Sequence, residues 1–460
     1  MKVTKQNIGT HSRDTRSLII ATLAAFVLSA CAESTRPEAT GKGRVRGINA
    51  VTTSPELIFL NEERSQGTVN YRAVLGFAEW DDLSYNFNFD VLPEGANESQ
   101  RIATQPIDVI ADTDHTIVLA GSLANPTLLT WEAEEREWSG TETVFEVDFF
   151  HVSPLLGEVD IYYAPEGTVP VLGNEIATMN NGDRIPYREF TEGVYELLIT
   201  APDDPSTILF QSSALSVPPA ERITIGIFDT NPSIVAPVDV NIIFDGSAVQ
   251  NLSDINSPAE IRLTHASFGV ENINGYFDDD FSTVVFSDVA FGESSPYSGL
   301  SEPETPFDVA LVSAPATTVT ETDVLLLKNT RRSLLFWGLP GAHFLRPLIH
   351  DARPVEFFAA TRITNVSTNL EFMDIYIVEP GTVLDDNVLP NFGGAIPGIS
   401  TEFFNPGLGM LEFILTMPGG KTPIATPVVL DLASGDVVDM IIVDTADPAV
   451  VELRIFESIP

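Results

Sequence analysis

Two histidines invite a chemical reading. His151, in VDFFHVS (147–153), and His265, in IRLTHAS (261–267), each close an apolar strand. An imidazole in such a place could ligate a metal or act as a general base. The same phrase recurs as VRGINA (45–50) and TRITNVS (361–367), and there the equivalent residues are Asn49 and Asn365. His and Asn share a polar group able to bond backbone at a strand-to-turn junction, not basicity or metal affinity. All four anchors are therefore read as structural. The same holds for Asp160 and Asp374, nine residues after their anchors, because Asn274 and Ile58 take their place in the sister copies.

The remaining candidates narrow in the same way. Acidic runs at Asp81–Asp82, Asp203–Asp204, Asp278–Asp280 and Asp385–Asp386 lack the alternating oxygen ligands, glycine and terminal glutamate of an EF-hand loop. They read as solvated acidic turns. No nucleophile elbow, S-x-x-K, H-E-x-x-H, P-loop or post-strand G-x-G-x-x-G is present. No catalytic residue, metal ligand or cofactor is expected. One stretch differs: residues 329–353 carry Arg331, Arg332, Arg346 and Arg353 with His343 and His350 against the single acid Asp351, interleaved with Phe336, Trp337 and Phe344, and Gly338, Pro340, Gly341 and Pro347 are expected to break regular structure there. Arginine mixed with aromatics is the composition of interface hot spots. Arg331, Arg332, Trp337 and Arg346 are thus expected at an interface, either neutralising acidic faces where copies three and four meet or presenting a patch to an anionic glycan or partner protein.

The elements that must position these residues follow from the echo itself. The four anchors lie 102, 114 and 100 residues apart, the size of a small β-sandwich domain. Alternation in VDIYY (159–163), YELLI (195–199) and ITIGI (223–227) marks strands, and 32 Pro with 31 Gly punctuate short β-branched runs. Strands ending at Pro93, Pro202, Pro315 and Pro418 align across the copies. The class is all-β, with four tandem sandwiches expected at 44–132, 144–247, 259–353 and 354–460. Copy three departs: its strand at 324–327 comes ten residues after Pro315, against 23 for Ile225 after Pro202, so a strand or hairpin is expected to have shrunk.

HVSPLLGEVDIYY (151–163) and YREFTEGVYELLIT (187–200) resemble phrases of a bacterial secreted family known as domain of unknown function 4397. The likeness is strongest in copy two, moderate in copies three and four, and weak in copy one. It implies an immunoglobulin-like or transthyretin-like sandwich and brings no established catalytic residues.

The N-terminus supplies an address. Lys2, Lys5, Arg13 and Arg16 precede an apolar run at 18–28 that suits a secretory signal core. It ends in Leu-Ser-Ala-Cys, which resembles the bacterial lipoprotein signal; residues 1–30 are expected to be removed and Cys31, the single cysteine, to be acylated. Residues 31–43 then form a tether about 20 Å long, and Ala32 points to the outer membrane. The whole chain carries a formal charge of −41, and losing residues 1–30 leaves 20 basic against 64 acidic residues. Such a surface repels nucleic acid. The expected function is a non-catalytic, lipid-anchored envelope protein, a multi-domain array for binding, spacing or envelope organisation. Its partners are the membrane and envelope proteins or glycans. The rival is a secreted hydrolase using paired carboxylates on glycans, a signal without specificity among so many acids.

Overall fold

The computed structural model describes residues 38–300 and 304–459. The expected signal segment and Cys31 lie outside the described residues.

Four sandwich units build the described chain, three of eight strands and one, unit two, of ten. Unit one holds β1 (Lys42–Asn49), β2 (Leu57–Asn61), β3 (Arg64–Val69), β4 (Ala78–Asp81), β5 (Ser84–Val91), β6 (Gln100–Asp108), β7 (Thr113–Gly121) and β8 (Pro126–Glu134). Its two sheets run β4-β1-β7-β8 and β3-β2-β5-β6. Unit two holds β9 (Val144–His151), β10 (Val159–Pro165), β11 (Ala177–Met179), β12 (Arg184–Thr191), β13 (Val194–Ala201), β14 (Asp204–Gln211), β15 (Leu215–Ser216), β16 (Arg222–Asp229), β17 (Val238–Phe244) and β18 (Val249–Leu252). The sheets are β12-β9-β16-β17-β18 and β11-β10-β13-β14, with β15 added beside β13.

Unit three holds β19 (Ala259–His265), β20 (Ile273–Phe277), β21 (Phe286–Val289), β22 (Ser298–Leu300), β23 (Glu304–Leu311), β24 (Thr318–Leu325), β25 (Arg331–Leu339) and β26 (Ala342–Ile349). Unit four holds β27 (Ala360–Asn365), β28 (Met373–Val378), β29 (Phe392–Ala395), β30 (Ile399–Ser400), β31 (Gly409–Thr416), β32 (Val428–Leu432), β33 (Val437–Asp444) and β34 (Val451–Ile459). Their sheets repeat the same order, β22-β19-β25-β26 with β21-β20-β23-β24 and β30-β27-β33-β34 with β29-β28-β31-β32. In units one, three and four the first strand pairs parallel with the seventh, and in unit two with β16, which holds the same place in its sheet.

Three expectations change. Copy three has lost no strand: residues 324–327 straddle the end of β24, the sixth strand, and the seventh is β25, inside the arginine-rich stretch. That stretch is a regular hairpin, β25 paired with β26 from Arg332↔Ile349 to Leu339↔Ala342, so Gly338, Pro340, Gly341 and Pro347 do not dissolve it. The units also overrun the expected limits, since β8 reaches Glu134 and β18 lies beyond residue 247. At the tether end, Thr40 and Gly41 already donate backbone N–H bonds to Asp82.

The sandwiches do not stand apart as a string. Strand side chains alternate between faces, and in the first strands both faces are buried. Val45, Phe149, Leu263 and Ile363 enter their own unit's core. Ile48, Val118, Phe150 and Phe228 instead form one apolar cluster between units one and two, and Ala266, Leu335, Trp337, Val366 and Ile441 form another between units three and four. The phrase-bearing sheets therefore pack face to face in two pairs. Phe150 and Phe228 are fully buried, with ring centroids 5.5 Å apart. Gly226 between them is required by close approach, because a Cβ there would lie 2.5 Å from the Phe150 ring and 2.6 Å from that of Phe228. A fragment spanning 143–247 would expose both rings, at a cost of about 1.5–3 kcal/mol for each large apolar side chain returned to water.

Candidate functional site

The anchors share one geometry. His151 Nδ1 accepts the Ser153 N–H at 3.2 Å while Nε2 bonds Gly157 O at 2.7 Å. His265 does the same with Ser267 N–H at 3.2 Å and Glu271 O at 3.1 Å. Asn49 Oδ1 accepts from Val51 and its Nδ2 donates to Ser54 Oγ and Val69 O; Asn365 Oδ1 accepts from Ser367 and its Nδ2 donates to Ala395 O. In each case one atom holds the turn after the first strand and the other donates to a nearby group. Burial pushes both histidines below the usual imidazole value, so the rings are neutral. Asp160 and Asp374 are equally committed: Asp160 accepts from Thr178 Oγ1 and Asp203 N–H, and Asp374 from the N–H groups of Gly394 and Gly419. The acidic runs sit in turns, where Asp204, Asp280 and Asp385 accept from Ser206, Ser282 and Asn387.

A second set of polar residues went unnoticed in the sequence. Three residues before each anchor stand Arg46, Asp148, Arg262 and Arg362, all buried and all on the face turned toward the neighbouring unit. Each is in register with a polar residue on the parallel partner of the first strand: Thr116, Thr224, Ser333 and Asp439. Between units one and two the partners cross the junction. Arg46 Nη2 donates to Thr224 Oγ1 at 3.1 Å, Arg222 reaches Asp114 at 3.6 Å, Arg72 pairs with Asp239, and Arg184 bonds both Asp148 at 2.8 Å and Glu132 O. Burial raises the Asp148 carboxyl above the usual range, opposed by Arg184 and Arg46. Between units three and four, Arg362 forks onto Asp439 within its own unit at 2.5 and 3.2 Å and donates to Ile349 O across the junction. Arg262 donates to Ser333 Oγ at 2.7 Å, and that hydroxyl lies 2.7 Å from His350 Nε2. Burial, then Arg262, Arg362 and Arg331, pushes His350 down to about 3. The signal was available: a charge inside an apolar strand, repeated in all four phrases.

The residues expected at an interface separate. Trp337 is buried in the cluster between units three and four, stacked on Phe344 at 4.7 Å and pressed against Gly398. Arg331 binds Glu260 of its own unit at 2.7 Å and donates to Pro232 O of unit two. Alternation places Arg332 on the inner side of β25, where its Nε has no hydrogen-bond partner among the described residues and burial lowers its pKa. Arg346 is half-buried in a groove of about 560 Å³ that also holds Asp351, Arg362 and Glu402; among the described residues it makes no ion pair. These four do not converge. The acid neutralised at this junction is Asp439, and Arg362 neutralises it. Arg353 donates to Thr52 O and Ser54 O, tying the chain before unit four to unit one.

Sheet order leaves one more kind of site. The third and fourth strands lie on matching edges of the two sheets, so the gap between them is the mouth of each sandwich. In unit two β12 runs eight residues, and Phe145, Phe190, Tyr163 and Tyr195 stack across the gap at 5.0–6.5 Å. In unit four β30 has two residues, and a cleft of about 740 Å³ opens between it and β29. The same place in unit three is a cleft of about 490 Å³ lined by Ser287, Ser294, Ser295, Ser298, Asp288 and Glu293.

No curated protein matches this chain. The part that does match a family is the first unit together with β9 and most of β10. The match thus takes in the copy expected to show the weakest likeness, and it stops short of YREFTEGVYELLIT. Residues 43–162 match the family described as a domain of unknown function, DUF4397.

Proposed function

We propose that this chain is a non-catalytic, lipid-anchored envelope protein in which four related sandwiches form a binding and spacing module. The observation that carries the reading is the commitment of its reactive side chains. Histidines and asparagines do one backbone-holding job at equivalent places, and the buried arginines and carboxylates hold sheet to sheet. Groups held in this way serve position, not turnover. The strand order shared by the four units, with two strands added in unit two, supports treating units two to four as further copies of the domain matched in unit one. Linked copies suit binding, because contacts on joined domains add through effective concentration.

Anchoring rests on Cys31 and is tested by Cys31→Ser. Wild type is expected to incorporate labelled palmitate and float with membranes, and the variant to be soluble. A variant that still floats, beside a wild type that takes up no label, ends the anchoring proposal. Cross-linking in intact cells is expected to yield envelope partners; glycan hydrolysis by purified protein would replace the binding reading with the hydrolase one.

A further inference from the structure

We infer that the mouth of unit four is a binding site for an uncharged, predominantly hydrocarbon small molecule, an inference that deepens the binding reading and rests on it. The cleft of about 740 Å³ falls within the range of ligand pockets. Ile363 and Ile375 form its floor, Phe392 and Phe404, 4.8 Å apart, its wall, and Ile396 and Ile399 its lip. The lip residues are 42% and 49% exposed. Unit two closes the same gap with a full-length strand and an aromatic stack. In unit four the two-residue β30 leaves it open.

The chemistry of the occupant follows from what the rim does not ask for. Its polar groups are already bonded: Ile363 N–H donates to Thr401 Oγ1 at 3.0 Å, Gly394 N–H to Asp374 Oδ1 at 2.9 Å, Asn365 Nδ2 to Ala395 O at 3.1 Å, and Ser400 Oγ lies 2.8 Å from Thr364 Oγ1. A ligand bringing polar groups would desolvate them without a matching partner. A negative charge is disfavoured further, because Glu402 stands exposed at the rim, Asp374 lies behind it, and the nearby Arg362 is spent on Asp439. Free fatty carboxylates are therefore excluded in favour of alcohols, isoprenoids or aromatic hydrocarbons.

The test uses the full chain carrying Cys31→Ser, so that no detergent is needed, and the neutral dye N-phenyl-1-naphthylamine. Saturable one-to-one fluorescence enhancement is expected, displaced by decanol and not by decanoate at pH 8. Ile399→Asp, at a half-exposed position, is expected to keep the wild-type melting temperature and weaken binding by about tenfold or more. Leu325→Asp, at an exposed leucine of unit three, is expected to bind as wild type does. Unsaturable binding, equal weakening by both substitutions, or equal displacement by decanoate would each overturn the proposal. Membrane flotation is read separately, so loss of the ligand site and loss of the anchor are distinguishable.

Discussion

The junction between units one and two and the junction between units three and four use the same sheets in the same register, yet they are filled differently. The first is laced across by arginines that find acids or carbonyls on the opposite unit. The second keeps its principal ion pair within unit four and adds a serine–histidine–arginine chain and a tryptophan. The lesson is that the fold prescribes a polar residue at one position on the outer face of each first strand and leaves its partner open. A buried charge is tolerated wherever the facing strand satisfies it, whichever unit that strand belongs to.

The largest difference should appear when the two central arginines are removed. Arg362→Ala strands Asp439 in a buried site and is expected to cost about 3–5 kcal/mol in urea unfolding. Arg46→Ala removes bonds to two threonine hydroxyls and leaves Asp148 still held by Arg184, for about 1–3 kcal/mol. Restoring most of the Arg362 loss by pairing Arg362→Met with Asp439→Leu would show that the cost is the orphaned carboxylate. Equal losses from Arg362→Ala and Arg46→Ala would erase the distinction between the junctions.

Class and repetition were legible because they rest on short-range patterns: alternation makes strands, proline ends them, and the echo of VRGINA, VDFFHVS, IRLTHAS and TRITNVS reports the same strand four times. The roles of His151 and His265 were legible for the same reason, since Asn at the equivalent place restricts what the position can need. Pairing of whole units was not legible, although a strand buried on both faces reads as near-continuous apolar sequence, as in VDFFHV. The burial of Arg46, Arg262 and Arg362 was not legible either, because alternation shows which face a residue takes, not whether another domain covers that face. The arginine-rich stretch misled through composition. Its density of charge belongs to a hairpin whose two faces serve different neighbours. Mouth size was hidden as well, because it depends on how far the fourth strand pairs, which glycines and prolines in 390–398 only permit.

Acid should separate the junctions next. A histidine whose folded pKa is depressed contributes stability that is complete above its unfolded value near 6.5 and is lost as pH falls toward the folded value. With His350 held at about 3, lowering pH from 7 to 5 is expected to remove about 2 kcal/mol through this residue alone. Among the described residues the first junction holds no histidine on its contacting faces. His350→Asn should therefore flatten the pH dependence of unfolding by that amount. An unchanged slope between pH 7 and 5 would mean that the ring is not buried neutral, and the contrast would reduce to ion-pair placement.

The smallest effect tests the hairpin that first drew notice. Arg331→Ser gives up an ion pair at 2.7 Å between partly exposed groups and a bond to a unit-two carbonyl, for an expected loss of about 1 kcal/mol. Arg346→Ser gives up neither, and is expected to stay within about 0.5 kcal/mol, or roughly 1 °C in Tm. Retention on an anionic polysaccharide column at low salt should be unaffected, because Asp351 and Glu402 share the groove and offset the Arg346 guanidinium, which makes no ion pair among the described residues. The sequence expectation of a concentrated cationic patch required Arg331, Arg332 and Arg346 to point one way. They point three ways, toward Glu260 and unit two, into the unit-three interior, and into the groove. Retention lost with Arg346→Ser would mean that one guanidinium outweighs the acids around it, and the junction of units three and four would then present an outward anionic-ligand surface that the first junction lacks.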